Sequence, residues 1–341
     1  MIIMKRFNTI LIGLLLFSSV VLMPSRVSAF VPYGDVNWST DVNIDDVVRL
    51  IDDILTGKTS IADDVDGNLE VNIIDVTTLI DYLLGGELVF DLYNPPVPDS
   101  ALVITVNGVS FAMMPVKGGS FTPHYSPYVP SSLNDYYMGM TEVTFELWDA
   151  VMESRPISAL LYEAKPNQPV DCPTWLDCQE FIVRLNELTG LEFHLPTPDQ
   201  WEYAAIGGEQ THGYTYAGSD DIDEVAWYKG NRPAIFDWYY KRGASAHTMP
   251  VGMKKPNELG LYDMSGNLWE WTESSAPGWG EYYEPYNPEE PTTWYAHLRG
   301  GSNREAANYC NIYARLSTFG PDRTGPDLGF RLALQASSLN R

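Results

Sequence analysis

A carboxylate and a thiol follow a Gly-Gly-Ser tripeptide at positions 300–302, near the carboxyl end of the chain. Glu305 stands three residues after that serine and Cys310 stands eight residues after it. Two thiolates would select copper(I), whereas a carboxylate is a hard oxygen ligand that suits calcium or water. The pattern supplies one soft ligand where a copper(I) site needs two. The other cysteines, Cys172 and Cys178, are expected to be packed thiols or disulfide-bonded, and sequence leaves the pairing open.

Oxygen-bearing side chains recur at alternate positions in two further segments that lie 29 residues apart. Oxygens at positions 1, 3, 5, 7, 9 and 12 of a twelve-residue loop can surround a calcium ion. The repeat predicts a duplicated calcium module, and the alternative is a pair of acidic turns that bind no metal. The two sets are Asp35, Asn37, Ser39, Asp41, Asn43 and Asp46, then Asp64, Asp66, Asn68, Glu70, Asn72 and Asp75.

Each of these segments leads into a predicted helix, because apolar residues follow at helical spacing. Gly57 is expected to stop the first helix and Gly85-Gly86 the second. This duplicated loop and helix resembles the dockerin modules. The resemblance implies a small all-α calcium module over residues 30–90 that attaches to a cohesin-like protein. The apolar sets are Val47, Val48, Leu50, Ile51, Ile54 and Leu55, and Val76, Leu79, Ile80, Leu83 and Leu84.

The amino terminus has the order of a secretory signal, with Lys5 and Arg6, an apolar run and then small residues up to Ala29. We expect cleavage after residues 1–29 and a secreted, periplasmic or cell-surface protein. The apolar run is too short for an integral membrane protein. The net charge of −24 makes nucleic acid an unexpected partner.

A linker at 91–100, rich in proline, separates the first module from a predicted domain at 101–335. Asn107-Gly108 between two apolar runs predicts a β-hairpin. Helices are predicted from Thr144 to Met152, from Thr174 to Leu188 and from Thr197, where Pro198 and Gln200 complete a helix start. Few regular elements and many aromatic residues indicate an irregular α+β domain.

The same region resembles the formylglycine-generating enzyme family, also called the sulfatase-modifying factors. The ordered motifs cover about residues 110–334, so the resemblance is specific. It implies a C-type-lectin-like fold with a small twisted sheet, two helices and much irregular coil. The motifs are Gly118-Gly-Ser-Phe121, Tyr137-Met-Gly-Met-Thr-Glu-Val143, Leu195-Pro-Thr-Pro-Asp-Gln-Trp201, Asn257-Glu-Leu-Gly-Leu-Tyr-Asp263, Gly266-Asn-Leu-Trp-Glu-Trp271, Arg299-Gly-Gly-Ser302 and Gly329-Phe-Arg331.

In that family two cysteines bind copper and oxidise a cysteine of a sulfatase, and they match positions 305 and 310 here. Cys310 is therefore the one catalytic candidate if the protein is an oxidase, and copper is not expected. The resemblance also implies a structural calcium ion at a turn, held by Asp263, Glu270 and carbonyls of Gly266 and Leu268. The alternative is that the turn is held by hydrogen bonds alone.

We expect an exported calcium-binding protein whose larger domain binds a glycan or an extended peptide, with Asn303, Arg304, Glu305, Trp294 and Tyr295 as candidate contacts. One alternative is a formylglycine-generating oxidase that acts on sulfatase cysteines. Another is a purely structural subunit that binds a protein through the calcium module. Copper-dependent oxidation of a Cys-x-Pro-x-Arg peptide distinguishes the oxidase from the other two.

Overall fold

The computed structural model describes two parts of the chain, a helix pair near the amino terminus and a larger mixed α/β domain. The described residues are 36, 43–58, 65, 71–84, 94–125, 128–156, 165–232, 248–273 and 295–340. The predicted signal peptide, residues 35, 37–42, 64 and 66–70 of the calcium loops, Gly85-Gly86 and Trp294 lie outside them.

The helix pair consists of α1, Ile44–Thr56, and α2, Ile73–Leu83. Asn43 caps α1 and exchanges hydrogen bonds with Asp46 in a capping box, and Gly57 ends the helix in the left-handed region at φ 66°. The predicted helix and its stop are confirmed. Their shared core is small and aliphatic, formed by Val36, Val47, Leu50, Val65, Val76 and Leu79.

Within the described residues of the larger domain, five strands form the first sheet, in the order β1-β2-β5-β11-β6. The predicted hairpin is confirmed, since β1 and β2 pair antiparallel around Asn107 at φ 48° and Gly108 at φ 89°. The strands are β1 Leu102–Val106, β2 Val109–Val116, β5 Tyr136–Gly139, β6 Phe193–His194 and β11 Ala333–Gln335. Two short strands, β3 Ser120–Phe121 and β4 Ser131–Ser132, pair beside them.

Four further strands form a second sheet among the described residues, in the order β10-β7-β8-β9. These strands carry the motifs that the sequence singled out, so the sheet positions the candidate site. Pairing is parallel between β10 and β7 and antiparallel elsewhere. The strands are β7 Trp269–Trp271, β8 Tyr295–Arg299, β9 Arg315–Phe319 and β10 Leu328–Phe330.

The helices of the larger domain are α3 Phe145–Val151, α4 Trp175–Thr189, α5 Pro198–Ala205 and α6 Ile222–Val225. The first three have threonine N-caps, and the caps of α4 and α5 are capping boxes. The predicted starts at Thr174 and Thr197 are confirmed because these caps are set by neighbouring residues alone. The apolar spacing of α4 predicts that Leu188 faces the core, and this prediction is wrong. Its side chain is 50% exposed, because it lies at the edge of the apolar arc.

The core of the larger domain lies between the sheets and helices. Trp148 of α3 stacks on Phe181 of α4 with ring centroids 5.3 Å apart, and both rings meet Phe330 of β10 edge-on. The end of the predicted linker rests on this domain, because a Cβ on Gly252 would lie 2.6 Å from the ring of Pro95. In the described parts of the chain, helices fall short of the length and hydropathy that a membrane crossing requires.

Candidate functional site

The site is built around a tight turn at residues 263–268 that enters β7. Asp263 and Asn267 both have φ 57°, and Gly266 has φ 82°. A side chain on Gly266 would lie 2.2 Å from the carbonyl oxygen of Trp227, so this position requires glycine. Glu142 holds the turn from the far side, accepting hydrogen bonds from Asn267 Nδ2 at 2.8 Å and from the backbone N–H of Leu268 at 3.1 Å.

A buried ion pair lies directly under this turn. Nε and Nη2 of Arg331 donate to the two carboxylate oxygens of Glu270 at 2.7 and 2.6 Å, and both side chains are fully buried. Trp201 Nε1 donates to Glu270 at 2.7 Å. The carboxylate predicted to bind calcium thus accepts three hydrogen bonds from two side chains. An ionised carboxylate has about four lone-pair positions, so only about one remains for a cation.

The carboxyl groups of Glu142 and Asp263 are buried near the Arg331 guanidinium, which already pairs with Glu270. Burial, and after it the charges of Asp263 and Glu270, raise the pKa of Glu142 well above its usual range. Burial raises the pKa of Asp263 to about 6, although the N–H of Gly252 donates to it at 2.7 Å. Burial alone would lower the pKa of Arg331, but the Glu270 carboxylate outweighs burial and raises it.

This cluster therefore favours an added proton or an added cation. The second carboxylate oxygen of Asp263, Oδ1, is buried and has no hydrogen-bond partner. Leaving such a group without a partner is costly, and a calcium ion accepts carboxylate and carbonyl oxygens together. The Asp263 oxygen is the group here that a cation would satisfy, and the calcium ion at Asp263, Gly266, Leu268 and Glu270 remains a prediction. Among the described residues no group of three His, Cys, Asp or Glu side chains forms a metal site, so backbone carbonyls would have to complete it.

The Gly-Gly-Ser segment at 300–302 contacts both the turn at 263–268 and Cys310. The carbonyl of Gly300 accepts from the N–H of Gly266 at 2.8 Å, and the N–H of Asn303 donates to the carbonyl of Asn267 at 2.9 Å. Gly301 has φ 77°, and a Cβ there would lie 2.8 Å from Cys310 Sγ. Close approach of this backbone to the thiol therefore requires glycine.

The Cys310 thiol is fully buried and faces a carbonyl rather than a thiolate partner. Its Sγ donates to the carbonyl of Ser302 at 3.7 Å. Burial raises its pKa to about 12, and the neighbouring Glu305 charge acts in the same direction. The other cysteines, Cys172 and Cys178, are also buried, and none of the three cysteines forms a disulfide. This environment suppresses the thiolate that nucleophilic and metal chemistry need.

Glu305 stands at the sequence position where the resemblance places the other copper-binding thiolate. Its backbone carbonyl accepts from the N–H of Lys229 at 2.9 Å, and its Oε1 lies 3.5 Å from Trp269 Nε1. One carboxylate and one protonated thiol do not fit a soft, two-thiolate copper(I) site. The Glu305 carboxylate instead offers oxygen acceptors for hydrogen bonds.

The predicted ligand contacts are only partly brought together. Asn303 is buried at 1% exposure, because its backbone pairs with the turn, whereas Arg304 and Glu305 are half-buried. Tyr295 starts β8. Sequence reasoning missed the exposed rings of Tyr309 and Tyr313 and the stack of His124 on Tyr313 at 4.4 Å.

The described halves of the two calcium loops have the same local geometry. The backbone N–H of Asn43 donates to Asp46, and that of Asn72 donates to Asp75, each at 2.8 Å. Both aspartates, at position 12 of their loops, are 0% exposed. The remaining predicted ligands of these loops lie outside the described residues, so the calcium ions remain predictions.

Three comparisons relate this geometry to known proteins. The profile of the sulfatase-modifying factor enzyme 1-like domain matches residues 96–336. A chaperone protein, LppX of Paenibacillus barcinonensis, is 33% identical over 66% of this chain and 89% of its own length. The formylglycine-generating enzyme of Streptomyces coelicolor is 33% identical over 50% of this chain, which spans 54% of that enzyme. The structure of Treponema denticola variable protein 1 superposes with a TM-score of 0.57 at 25% identity, over 70% of this chain and all of that one.

Proposed function

The chain belongs to the sulfatase-modifying factor enzyme 1-like family, and we propose that it is a non-oxidising binding or assembly module of that family. One observation carries the proposal. Glu305 stands where the resemblance places the first copper-binding cysteine, and the remaining thiol, Cys310, is buried with its pKa raised to about 12. A protonated thiol beside a carboxylate lacks both the metal preference and the redox partner of a cysteine pair.

The proposed ligand is a glycan or an extended peptide, bound at loops of a C-type-lectin-like fold. The segment from 303 to 327 supports a recognition role, since Tyr309 is 52% exposed and Tyr313 is 41% exposed beside polar neighbours. Exposed aromatic rings supply contact area at low entropic cost. The relative with the greater coverage is named a chaperone, which supports an assembly role on another exported protein.

Residues 30–90 are proposed to tether this domain through calcium and a cohesin-like partner. The repeat supports this role, because equivalent apolar residues stay exposed on α1, on α2 and directly after α2: Ile44 and Ile73, Ile51 and Ile80, and Leu55 and Leu84. An exposed apolar face of this kind is typical of a protein-binding surface. Calcium would bring the loop carboxylates together and hold both helices in position.

Calcium binding by this module is tested by isothermal titration of calcium into the full chain, comparing Asp75→Asn with Asp52→Asn. Asp75 is buried at position 12, whereas Asp52 is exposed on α1. We expect Asp75→Asn to remove one binding event and Asp52→Asn to remove none. Equal calcium stoichiometry in both variants would contradict the module.

Cys310 favours a second candidate, the formylglycine-generating oxidase, because it matches one of the two cysteines of that family. The binding module and the oxidase predict different products from a Cys-x-Pro-x-Arg peptide incubated with the protein, copper and oxygen. We expect the wild-type protein to leave the peptide cysteine unchanged in mass spectrometry, while glycan and peptide arrays detect binding. Conversion of the cysteine to formylglycine by the wild-type chain, and its loss in Cys310→Ser, would establish the oxidase instead.

A further inference from the structure

A buried arginine with unused hydrogen-bond donors stands at the end of β8. Arg299 is 1% exposed, and its Nη2 donates to Glu202 at 2.8 Å. Its Nε and Nη1 are also buried, and neither has a hydrogen-bond partner. Buried charged donors without partners are costly, so this guanidinium is only half compensated by the protein.

Two other basic side chains converge on the same place. Arg315 of β9 is the direct cross-strand neighbour of Arg299. Two like charges in such a pair destabilise the sheet. His297 lies two residues before Arg299, so it shares that face of the strand. Burial, then Arg299 and Arg315, lower the pKa of His297 to about 4. Burial and then Arg299 lower the pKa of Arg315. We call Arg299, Arg315 and His297 the basic cluster.

The neighbours of Arg299 compensate its charge only in part. Glu202 divides its carboxylate between Arg299 and the backbone N–H of His124, which donates at 2.5 Å. The ring of Tyr125 lies near both guanidinium groups, with its centroid 5.7 Å from Arg299 Cζ and 5.4 Å from Arg315 Cζ. These distances are near the outer limit of about 6 Å for a cation–π contact, so the ring compensates weakly.

We propose that the basic cluster binds an oxyanion, a carboxylate, sulfate or phosphate group, between Arg299 and Arg315 beside Tyr125. Nε and Nη1 of Arg299 lie on either side of the Nη2 group that bonds Glu202, and each has an N–H group without a partner that can donate to an oxyanion oxygen. Arg315 is exposed on β9 and gives the group its approach from solvent. This oxyanion site is independent of the proposed function, because it involves neither Cys310 nor the calcium loops.

The site is specific because the rest of the molecule repels anions. The chain carries a net charge of −24, so weak surface adsorption of an oxyanion is disfavoured. Saturable binding of an oxyanion would therefore indicate a specific binding site. Bringing a counter-charge between the two arginines also removes their mutual repulsion, so binding stabilises the fold.

The test is isothermal titration of inorganic sulfate, inorganic phosphate and acetate into the full-length protein at constant ionic strength set with sodium chloride. Arg315→Gln removes one of the two guanidinium groups of the site, at an exposed position where the substitution should be tolerated. Arg299→Lys keeps a charge for Glu202 but removes the Nε and Nη1 donors that have no partner. Arg184→Gln is the matched control, because it loses one positive charge on α4, where Arg184 pairs with Glu180.

We expect saturable binding of at least one oxyanion to the wild type and to Arg184→Gln, and at least about tenfold weaker binding to Arg315→Gln and Arg299→Lys, because each loses a charge-assisted hydrogen bond. The three anions separate a carboxylate site from a sulfate or phosphate site. No saturable binding of any of them to the wild type would overturn the proposal, as would unchanged affinity in a folded Arg315→Gln. If Arg299→Lys does not fold, Arg315→Gln decides alone.

Discussion

Cys310 and His297 both lie in the interior beside groups that oppose their charged forms. Around Cys310 burial, and after it the charge of Glu305, raise the pKa and leave a protonated thiol, although the contact with the Ser302 carbonyl acts in the opposite direction. Around His297 burial and two guanidinium groups leave a neutral imidazole. In both cases the residue type suggests reactivity, and the surroundings remove it.

The neutral state of His297 predicts a pH dependence of stability. Its folded pKa, about 4, lies below the ordinary value of 6.5, so the unfolded chain binds more protons between these values. Stability from this group is therefore fully present above about pH 6.5 and is lost as the pH falls toward 4. The full difference corresponds to roughly 3 kcal/mol at most.

Urea unfolding of the wild type and of His297→Gln at a series of pH values measures this contribution. We expect the free energy of unfolding of the wild type to fall more steeply than that of the variant between pH 6.5 and 4. Parallel curves for the two proteins over this range would contradict a buried neutral histidine.

At the scale of elements, short glycine-dependent turns bring the motif segments together. The 263–268 turn and the Gly300-Gly301 segment bond to each other, and both pack against β7 and β8. Positive φ angles at Gly266, Gly300 and Gly301 allow backbones to approach where a side chain would collide. The site is thus positioned by backbone contacts more than by long helices.

A pair of alanine substitutions separates the backbone requirement from the close contact. Gly301 and Gly213 have nearly equal φ values, 77° and 74°, but only Gly301 is crowded, by the Tyr309 carbonyl at 2.4 Å and Cys310 Sγ at 2.8 Å. Gly213→Ala is expected to cost about 1 kcal/mol of stability from the left-handed backbone alone. Gly301→Ala should cost several kcal/mol, because overpacking adds to it. Equal losses in thermal unfolding would show that the contact around Cys310 is loose.

Local features of the fold could be predicted from the sequence, whereas the long-range pairs of the site could not. The caps at Thr174 and Thr197 and the turn at Asn107-Gly108 depend on residues within three positions, and the structure confirms them. Glu142 bonds to a turn 125 residues away and Arg299 pairs with Glu202 across 97 residues. No periodicity or spacing encodes such partners, so the role of Glu142 and the basic cluster emerged only from the fold.

At the scale of the whole molecule, a family scaffold is kept while the pair of groups at its centre has changed. The turn, the Arg331–Glu270 ion pair and the buried glycine segment form a stable frame that does not depend on copper. On this frame the oxidase positions hold Glu305 and a buried thiol, and exposed aromatic rings lie on the nearby loops. The proposed function rests on this arrangement, which we propose serves recognition of another molecule and not oxidation of one.

The most direct test of this account is the affinity of the purified mature protein for copper(I), measured by competition with a chromophoric chelator. Cys310→Ser and Glu305→Cys are measured beside the wild type, since the second variant restores a pair of thiols. We predict that the wild type and Cys310→Ser both fail to compete and that Glu305→Cys gains tight binding. Tight copper(I) binding by the wild type that disappears in Cys310→Ser would contradict the account and restore the oxidase.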